Sequence, residues 1–405
     1  QHRRDKIEWE SDIFSRMPQT SAREWTPRGH AHNPLASTGG TDCMFDYIVS
    51  ACWDGAEGTI GTTLTGCTFK IYSTPALLWA ELNALTDAGM YSCLICAGTY
   101  ASQNIPINLA STVRVALEGV AENRPQISSV STVAGSIIFD VKDTGAGVQF
   151  CGIQIGSTAT SYRQIYTFKD STASNTSMKF IRCALDGKIG TDLVSQPTNR
   201  SFFENCVFRH GYIQDAGTPQ GVDFRYCAIG NDGTQAVNVS VLLTECDFFR
   251  CISDRKWLFT GGMDGRIEGN TFGTSGAGGN WIHLNGGAYD GLLITKNKFD
   301  NPANANGSIY IQSHSGIGWL RILSNEFGRG VGTGTWPFIT APSTAAVSAI
   351  IADNNFRYDG AGEYVEDAGG VSVSGNFSDS IFGPNTPATK VRYNITGARN
   401  LFFPG

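Results

Sequence analysis

Several acidic residues accompany a repeated hydrophobic unit in the middle of the chain, and their type and spacing could support hydrolytic chemistry. Two carboxylates can hydrolyse a glycosidic bond when they lie about 5–5.5 Å or about 6.5–9.5 Å apart. Stacked strands lie about 4.8 Å apart, so carboxylates on neighbouring strands can reach such distances. The candidate catalytic residues are Glu204, Asp223, Glu245 and Asp247, in a run that continues with Asp264 and Glu268. The alternative is a set of surface ion pairs, since Arg225 falls beside Glu204 when the repeats are aligned.

A second group combines aromatic rings with a histidine. His283 and Tyr310 each lie between two aliphatic residues, in equivalent short segments of successive repeats. Because side chains alternate between the faces of a strand, both would point outward as neighbours if these segments stack. With Trp281 beside them they would form a platform for a sugar ring, so Trp281, His283 and Tyr310 are the candidate substrate-binding residues. Ordinary stacking of surface aromatic side chains is the alternative.

The cysteines indicate neither a metal site nor a disulfide framework. There are eleven of them, so at least one thiol has no partner within the chain. Cys93-x-x-Cys96 has no second Cys or His pair at zinc spacing, and on a strand its two thiols would face opposite sides. We therefore expect no metal and no cofactor, and thiols that stay reduced, as in a protein assembled in a reducing cytoplasm.

The element that must position these residues is a six-residue repeat: apolar, any, any, Cys or Asn, any, apolar. It recurs about every 20–30 residues, which is the period of a solenoid. Its central residues are Cys183, Cys206, Cys227 and Cys246, followed by Asn270, Asn297, Asn325 and Asn354. Val148-x-x-Cys151-x-Ile153 has the form of an earlier repeat.

A strand that ends in a tight bend explains this unit. The apolar residue three positions before the centre points inward, and the bend lets the central residue point inward too. Asparagine tolerates the left-handed backbone of a bend, and its stacked amides can hydrogen-bond from coil to coil. Cysteine fills the same position as a small buried hydrophobe. Short apolar segments between the units supply further strands, so we expect about three strands in each coil.

The first coils follow a predicted helix. Thr74 to Leu85 has an amphipathic pattern, with Thr74 as N-cap and Pro75 in the first turn. A strand, the turn Gly98-Thr99-Tyr100 and short strands leading to Gly119 come next. This order resembles the entry to pectate-lyase-like right-handed parallel β-helices, a family that includes bacteriophage tailspikes. The resemblance covers roughly residues 74–380 and implies an all-β, right-handed parallel β-helix with an N-terminal capping helix.

Composition predicts the boundaries of four segments. Residues 1–42 are rich in Lys, Arg and His and poor in aliphatic residues, so this polar arm should not bury a core alone. Residues 43–72 are a small β-rich neck, residues 73–380 the β-helix and residues 381–405 a C-terminal end segment. The arm is predicted to attach the protein to a larger assembly, and the alternative is a tail that lies on its own solenoid.

Charge and hydropathy argue against two classes of partner. The net charge is −6, whereas nucleic-acid binding needs clustered Lys and Arg. The sequence holds no apolar run that approaches the length of a membrane span. We therefore expect neither nucleic-acid binding nor membrane insertion.

The resemblance implies a function less firmly than a fold, because one fold can carry many activities. It implies a phage tailspike or tail-fibre protein that binds host surface polysaccharide, with endoglycosidase hydrolysis left open. Tailspike-like proteins are typically trimers, so the expected partners are two further copies of the chain, other tail proteins bound through residues 1–42, and the polysaccharide. The expected location is the virion tail, after assembly in the host cytoplasm. The alternatives are a non-catalytic structural β-helix of the virion and a secreted polysaccharide lyase or glycoside hydrolase.

Overall fold

The protein is described by a computed structural model, which falls into two compact units. The first unit comprises the described residues up to Gly187 together with Ser201–Val207, and the second comprises Lys188–Gly190 and the described residues from Phe208 onward. The described residues are 45–62, 68–101, 104–119, 124–129, 137–141, 147–157, 166–170, 177–190, 201–208, 212–213, 221–229, 237–239, 243–253, 256–273, 281–299, 308–313, 320–328, 339–341, 349–356, 365–367, 371–374, 377–378 and 391–392.

The first unit contributes strands to three sheets, A, B and C. Sheet A holds β1 (Tyr47–Val49), β2 (Thr59–Thr62), β3 (Thr68–Tyr72), β4 (Gly89–Ile95), β7 (Val113–Gly119), β10 (Gly147–Cys151), β13 (Ser177–Ile181) and β16 (Ser201–Glu204). Sheet B holds β5 (Thr99–Ala101), β8 (Gln126–Ser129), β11 (Gln154–Ser157), β14 (Ala184–Asp186) and, at the unit boundary, β17 (Val207–Phe208). Sheet C holds β6 (Ile105–Ile107), β9 (Ile137–Val141) and β12 (Tyr166–Asp170).

The second unit repeats this arrangement. Its sheet A strands are β19 (Val222–Arg225), β22 (Leu243–Phe249), β25 (Met263–Glu268), β28 (Leu293–Thr295), β31 (Leu320–Leu323), β34 (Ala349–Ala352) and β37 (Val371–Ser374). Sheet B holds β20 (Ala228–Ile229), β23 (Ile252–Ser253), β26 (Thr271–Phe272), β29 (Lys298–Phe299), β32 (Glu326–Phe327), β35 (Asn355–Phe356) and β38 (Phe377–Ser378). Sheet C holds β15 (Lys188–Gly190), β18 (Tyr212–Ile213), β21 (Val237–Val239), β24 (Trp257–Phe259), β27 (Ile282–Leu284), β30 (Ile309–Ile311), β33 (Ile339–Ala341), β36 (Val365–Asp367) and β39 (Val391–Arg392).

Strand pairing makes each unit a parallel β-helix. Successive strands enter sheets A, B and C in turn, and each pairs in parallel with the equivalent strand of the next coil, as β7 does with β10 and β27 does with β30. The hairpin β2–β3 is antiparallel and adds to sheet A beside β1. The predicted fold class, an all-β parallel β-helix with about three strands in each coil, is confirmed.

The predicted helix is present as α1 (Pro75–Asn83) in the first unit. The Thr74 hydroxyl accepts a hydrogen bond from the Leu77 amide at 3.4 Å, which is the expected N-cap contact. The helix contacts β6, β1 and β3, and its buried Trp79 lies edge-on to Phe139 at a ring-centroid distance of 6.3 Å. Its apolar face therefore extends the core at this point, whereas its role as a cap stays a prediction.

Stacked rings fill the interior beside the bends. Phe180 lies between Phe150 and Phe203 in the first unit, with centroid distances of 5.0 and 4.9 Å. Phe299 lies between Phe272 and Phe327 in the second unit, at 4.8 and 4.9 Å. The apolar residue three positions before the bend thus forms a column in the first unit, as predicted, whereas the column of the second unit is formed by the phenylalanine two positions after the central asparagine.

Two of the predicted repeat units are in the wrong register. Phe224 pairs with Phe248 rather than with Leu243, so the bend of that coil lies at Cys251, not at Cys246. Phe150 pairs with Phe180, which places the earlier bend at Ile153 rather than at Cys151. In both cases the true unit departs from the pattern, since Ser253 stands where an apolar residue is expected and Ile153 where Cys or Asn is expected, and a neighbouring segment matches the pattern instead.

The left-handed residue of each bend is the one before the centre. Lys296, Ser324 and Asp353 have φ of 54°, 56° and 55°, and each precedes a central asparagine. The prediction that asparagine itself occupies the left-handed position is therefore wrong. The asparagines are used instead for their buried amides, which hydrogen-bond to one another between coils: Asn270, Asn297, Asn325 and Asn354.

The predicted segment boundaries are partly visible. In the neck, β1 pairs with β4, so residues 47–49 continue sheet A of the first unit. At the other end, β39 pairs with β36, so sheet C of the second unit continues beyond the predicted end at residue 380. The arm of residues 1–42 lies outside the described residues.

Candidate functional site

Charged side chains cover the outer face of three neighbouring sheet A strands in the second unit. On β19, β22 and β25, apolar residues such as Phe224, Phe248 and Ile267 are buried in the core, and the residues between them lie on the opposite face. We call these opposite-face residues the charged strip: Asp223, Arg225, Glu245, Asp247, Phe249, Asp264, Arg266 and Glu268.

Ion pairs order the middle of the charged strip. Arg266 binds Asp247 through two of its three guanidinium nitrogens, Nη2 to Oδ2 at 2.6 Å and Nε to Oδ1 at 3.3 Å. This pair raises the pKa of Arg266. Arg266 Nη1 also lies 3.7 Å from Glu268 Oε2, and Lys296 Nζ lies 2.9 Å from Glu268 Oε1. Bidentate pairing fixes the planes of both groups, so the strip presents an ordered array of donors and acceptors.

Asp223 is held beneath this surface. Its side chain is 1% exposed, and Arg225 Nη2 lies 2.6 Å from its Oδ2. Its Cα pairs with that of Asp247 on the next strand, so the two predicted catalytic residues are neighbours. A catalytic carboxylate must contact the substrate, so the burial of Asp223 argues against that role and favours one in positioning Arg225.

A β-bulge brings Glu245 into the strip. Glu245 has φ of 53°, and the register between β22 and β25 shifts between Leu243 and Cys246. Across from it, Gly265 has φ of +138°, and a Cβ there would lie 2.0 Å from the Cys246 carbonyl oxygen. Only glycine fits such an approach, so the bulge and Gly265 form one local structure that sets the position of Glu245.

Three carboxylates lie close together at this end of the strip. Partial desolvation raises the pKa of Asp264, and the nearby charges of Glu245 and Asp290 raise it further. A carboxyl group whose pKa is raised by neighbouring carboxylates is a candidate general acid. Glu245 and Asp264 are therefore the acid–base candidates of the strip.

Aromatic rings border the other end of the strip. The rings of Tyr226 and Phe249 meet edge to face at a centroid distance of 5.9 Å. The Arg250 guanidinium lies over both rings, 5.1 Å from the Phe249 centroid and 6.0 Å from that of Tyr226. Tyr226 and Phe249 are half-buried and Arg250 is exposed. We call these three residues the aromatic edge, which offers flat apolar faces next to charged groups.

Glu204, the fourth predicted catalytic residue, belongs to the first unit. Its Cα pairs with that of Ile181 on β13, and its side chain is half-buried. The charged strip thus contains three of the four predicted catalytic residues.

The predicted sugar platform is divided by the structure. His283 and Tyr310 are neighbours across β27 and β30, as predicted, with ring centroids 4.7 Å apart. Trp281 is 5% exposed and lies 6.1 Å from the core ring of Phe272. Its burial removes Trp281 from the outer face, because the residue precedes β27 and does not follow the alternation of that strand.

Some residues of these two sites were not found from the sequence. Tyr226 and Arg250 occupy the left-handed positions of bends, with φ of 53° and 51°. The six-residue repeat allows any residue at this position, so it does not single them out. Gln312, which contacts His283, lies just beyond β30. A search for aromatic residues directly before the central Cys or Asn could have found Tyr226.

Within the described segments, no group of three His, Cys, Asp or Glu side chains is arranged to hold a metal ion. None of the helices in these segments has the length and apolar character that a membrane span requires.

Comparisons with known proteins give likenesses at the level of structure alone. No protein-family model and no curated protein matches the sequence. Tailspike protein 3 of bacteriophage CBA120 is 13% identical with a TM-score of 0.37; the match covers 82% of this chain, which spans 60% of the tailspike chain. Pectin methylesterase from Aspergillus niger is 13% identical with a TM-score of 0.27, covering 86% of this chain and 93% of that one. A pectin methylesterase in complex with hexasaccharide VII is 13% identical with a TM-score of 0.30, covering 86% and 92%. The assignment of a parallel β-helix rests on the strand pairing of this chain.

Proposed function

We propose that the protein binds a polysaccharide through the charged strip and the aromatic edge of its second unit. The observation that carries this proposal is the half-buried Phe249, whose ring lies under Arg250 and whose Cα is a strand neighbour of both Arg225 and Glu268. Sugar rings stack on aromatic faces, and their hydroxyl groups both donate and accept hydrogen bonds. Ionised groups make the stronger of such bonds.

Hydrolysis of the bound polysaccharide is a second candidate function. It is favoured by the raised pKa of Asp264, because the general acid of a glycosidase is a carboxyl group whose pKa is raised above its ordinary value. On this proposal Asp264 is the general acid and Glu245 the base or nucleophile. Asp247 positions Arg266, since both of its oxygens are engaged by that residue.

The proposal extends to the biological setting that the sequence implies. The chain would act in a phage tail as a homotrimer, attached to other tail proteins through residues 1–42. This part rests on the resemblance of the repeat and of its entry to tailspike-like β-helices. Light scattering on the intact chain at micromolar concentration tests it, and a monomeric mass would contradict it.

The binding proposal is tested on a panel of purified capsular polysaccharides and lipopolysaccharide O-antigens. Changing Phe249→Ala together with Arg250→Ala should weaken binding at least tenfold, because the stacking face and its cation are lost. The matched control is Lys298→Ala, an exposed cation on sheet B of the same unit. Equal affinity of the double variant and the control would refute the proposal.

The hydrolysis proposal is tested by the release of new reducing ends. Asp264→Asn should abolish release while leaving polysaccharide binding within about twofold, because the amide keeps the shape of the carboxyl group but cannot transfer a proton. Full activity of Asp264→Asn would remove the residue from the reaction. Absence of any release by the unmodified protein would leave binding as the function.

A further inference from the structure

A second group of polar residues lies on the outer face of sheet C in the second unit. The Cα of His283 pairs with that of Leu258 on β24 and with that of Tyr310 on β30. Lys256 directly precedes β24, and its charge acts on His283 of the next coil. Lys256, His283 and Tyr310 are therefore contributed by three successive coils.

His283 presents a buried acceptor that has no hydrogen-bond partner in the described part of the chain. Its side chain is 8% exposed, and its Nε2 lies 2.8 Å from Gln312 Oε1, an atom that only accepts hydrogen bonds. Nε2 therefore carries the hydrogen, and Nδ1 has a free lone pair in the neutral ring. Burial is the first cause that lowers the pKa of His283 to about 4, and the charge of Lys256 is the second. Nδ1 is buried and has no hydrogen-bond partner among the described residues.

Lys256 is a half-buried cation. Within the described segments no carboxylate lies within salt-bridge distance of its Nζ, and its burial lowers its pKa. Its electrostatic effect on His283 shows that the two groups are close. A buried ammonium group is stabilised by an anion, just as the free Nδ1 is stabilised by a hydrogen-bond donor.

Tyr310 adds a flat apolar surface to these two groups. Its ring lies 4.7 Å from that of His283, at an interplanar angle of 45°, and is half-buried. A pyranose ring against Tyr310 would thus lie beside an acceptor for one of its hydroxyl groups and beside a cation.

We propose that Lys256, His283 and Tyr310 form a subsite for an acidic sugar, whose carboxylate binds Lys256 Nζ and whose hydroxyl group donates to His283 Nδ1. The subsite deepens the proposed function, because it names a uronic acid as a component of the polysaccharide. The charged strip differs from it, because the cations Arg266 and Lys296 there are already paired with carboxylates of the protein. Gln312 is a positioning residue, since its acceptor oxygen selects the tautomer of His283.

Two probes that differ only at the carboxyl group test the subsite. They are hexamers of glucuronic acid and the same hexamers after reduction of each carboxylate to a primary alcohol. Titration calorimetry with the full chain should show at least tenfold tighter binding of the acidic hexamer, and Lys256→Gln should abolish this preference. Lys298→Gln on sheet B is the matched control and should retain it. Equal binding of both hexamers by the unmodified protein, or a preference that survives in Lys256→Gln, would overturn the inference.

The histidine is tested by a separate measurement that does not depend on the stability of a variant. With nitrogen-15 histidine, the Nδ1 resonance of His283 should have the shift of an unprotonated nitrogen and should move when the acidic hexamer is added. Gln312→Glu should favour the protonated ring, turn Nδ1 into a donor and weaken binding of the acidic hexamer at least fivefold. A protonated Nδ1 in the free protein, or no movement on titration, would remove His283 from the subsite. The double variant of the aromatic edge is scored independently on whole polysaccharides, so either proposal can fail while the other stands.

Discussion

The asparagine ladder of the second unit allows a stability effect to be worked out bond by bond for Asn297→Ala. The Asn297 side chain accepts from the Asn270 backbone amide and from Asn270 Nδ2, both at 2.9 Å. It donates to the Ile267 carbonyl at 2.7 Å and to Asn325 Oδ1 at 3.0 Å. All four bonds are buried, and a buried hydrogen bond contributes about 1 kcal/mol net. Alanine should therefore lower the free energy of unfolding by about 3–5 kcal/mol, since the Asn270 amide also loses its acceptor.

The matched control is Asn297→Cys, since cysteine is the central residue of several other coils. Cys251 Sγ donates to the Phe224 carbonyl of the preceding coil at 3.4 Å. Asn297 makes the equivalent bond to the Ile267 carbonyl of its own preceding coil. Cys206 makes the same contact with Phe180 at 3.2 Å in the first unit. Asn297→Cys should thus keep a donor to Ile267 but lose the strong acceptor for Asn270, because sulfur accepts weakly. We expect a loss about half as large as for alanine, roughly 2 kcal/mol.

Chemical unfolding and hydrogen exchange together measure this effect. A solenoid can unfold in parts, so a global transition alone would not locate the damage. The exchange rate of the Asn270 amide should rise strongly in Asn297→Ala, while amides of the first unit keep their rates. The reasoning is refuted if Asn297→Ala unfolds within about 0.5 kcal/mol of the unmodified protein and the Asn270 amide stays protected.

Two further predictions concern the bulge and the buried histidine. Gly265→Ala should destabilise the second unit by about 2–4 kcal/mol in chemical unfolding, because the φ of +138° and the nearby Cys246 carbonyl leave no room for a Cβ. The control is Gly273→Ala, which should be neutral because a Cβ there would meet nothing within 4 Å. The pKa of His283 is about 4 in the folded protein and about 6.5 in the unfolded chain. As the pH falls below about 6.5, the unfolded chain therefore binds a proton that the folded protein does not, and the folded state loses stability. Stability should be constant above pH 6.5 and fall by about 1–2 kcal/mol towards pH 4, after allowance for solvent screening. Unfolding curves from pH 4 to 7 should lose this slope in His283→Asn, and an unchanged slope would contradict the assignment.

Sequence alone was sufficient for features that depend on alternation along a strand. The aliphatic residues around His283 and Tyr310 predicted their adjacency, and the pairing of β27 with β30 confirms it. The inward column was predicted for the same reason, since Phe180 and Phe203 follow the six-residue unit. Period-two alternation holds wherever a strand is regular, so it can be recognised without knowledge of the neighbouring coils.

Alternation fails as a guide where the strand itself is irregular. The bulge at Glu245 adds a residue to β22, and the true unit of that coil, Phe248-x-x-Cys251-x-Ser253, ends on a polar residue, so the pattern favours Leu243 and Cys246 instead. Trp281 lies outside β27, and its burial depends on Phe272 in the preceding coil. The group of Glu245, Asp264 and Asp290 needs the bulge to form, so no spacing in the sequence predicts it.

A coil of this fold cannot build a binding site by itself, because each of its short strands shows only a few side chains on its outer face. Both proposed sites therefore take their groups from successive coils: the charged strip from β19, β22 and β25, and the acidic-sugar subsite from the segments around β24, β27 and β30. Their geometry depends on the same stacking that the asparagine ladder stabilises. Loss of the ladder at Asn297 should consequently loosen the coil of Asn270, which is the coil that carries Arg266 and Glu268. Binding at the charged strip and protection of the Asn270 amide should then fall together in Asn297→Ala, whereas a purely local site would keep its affinity.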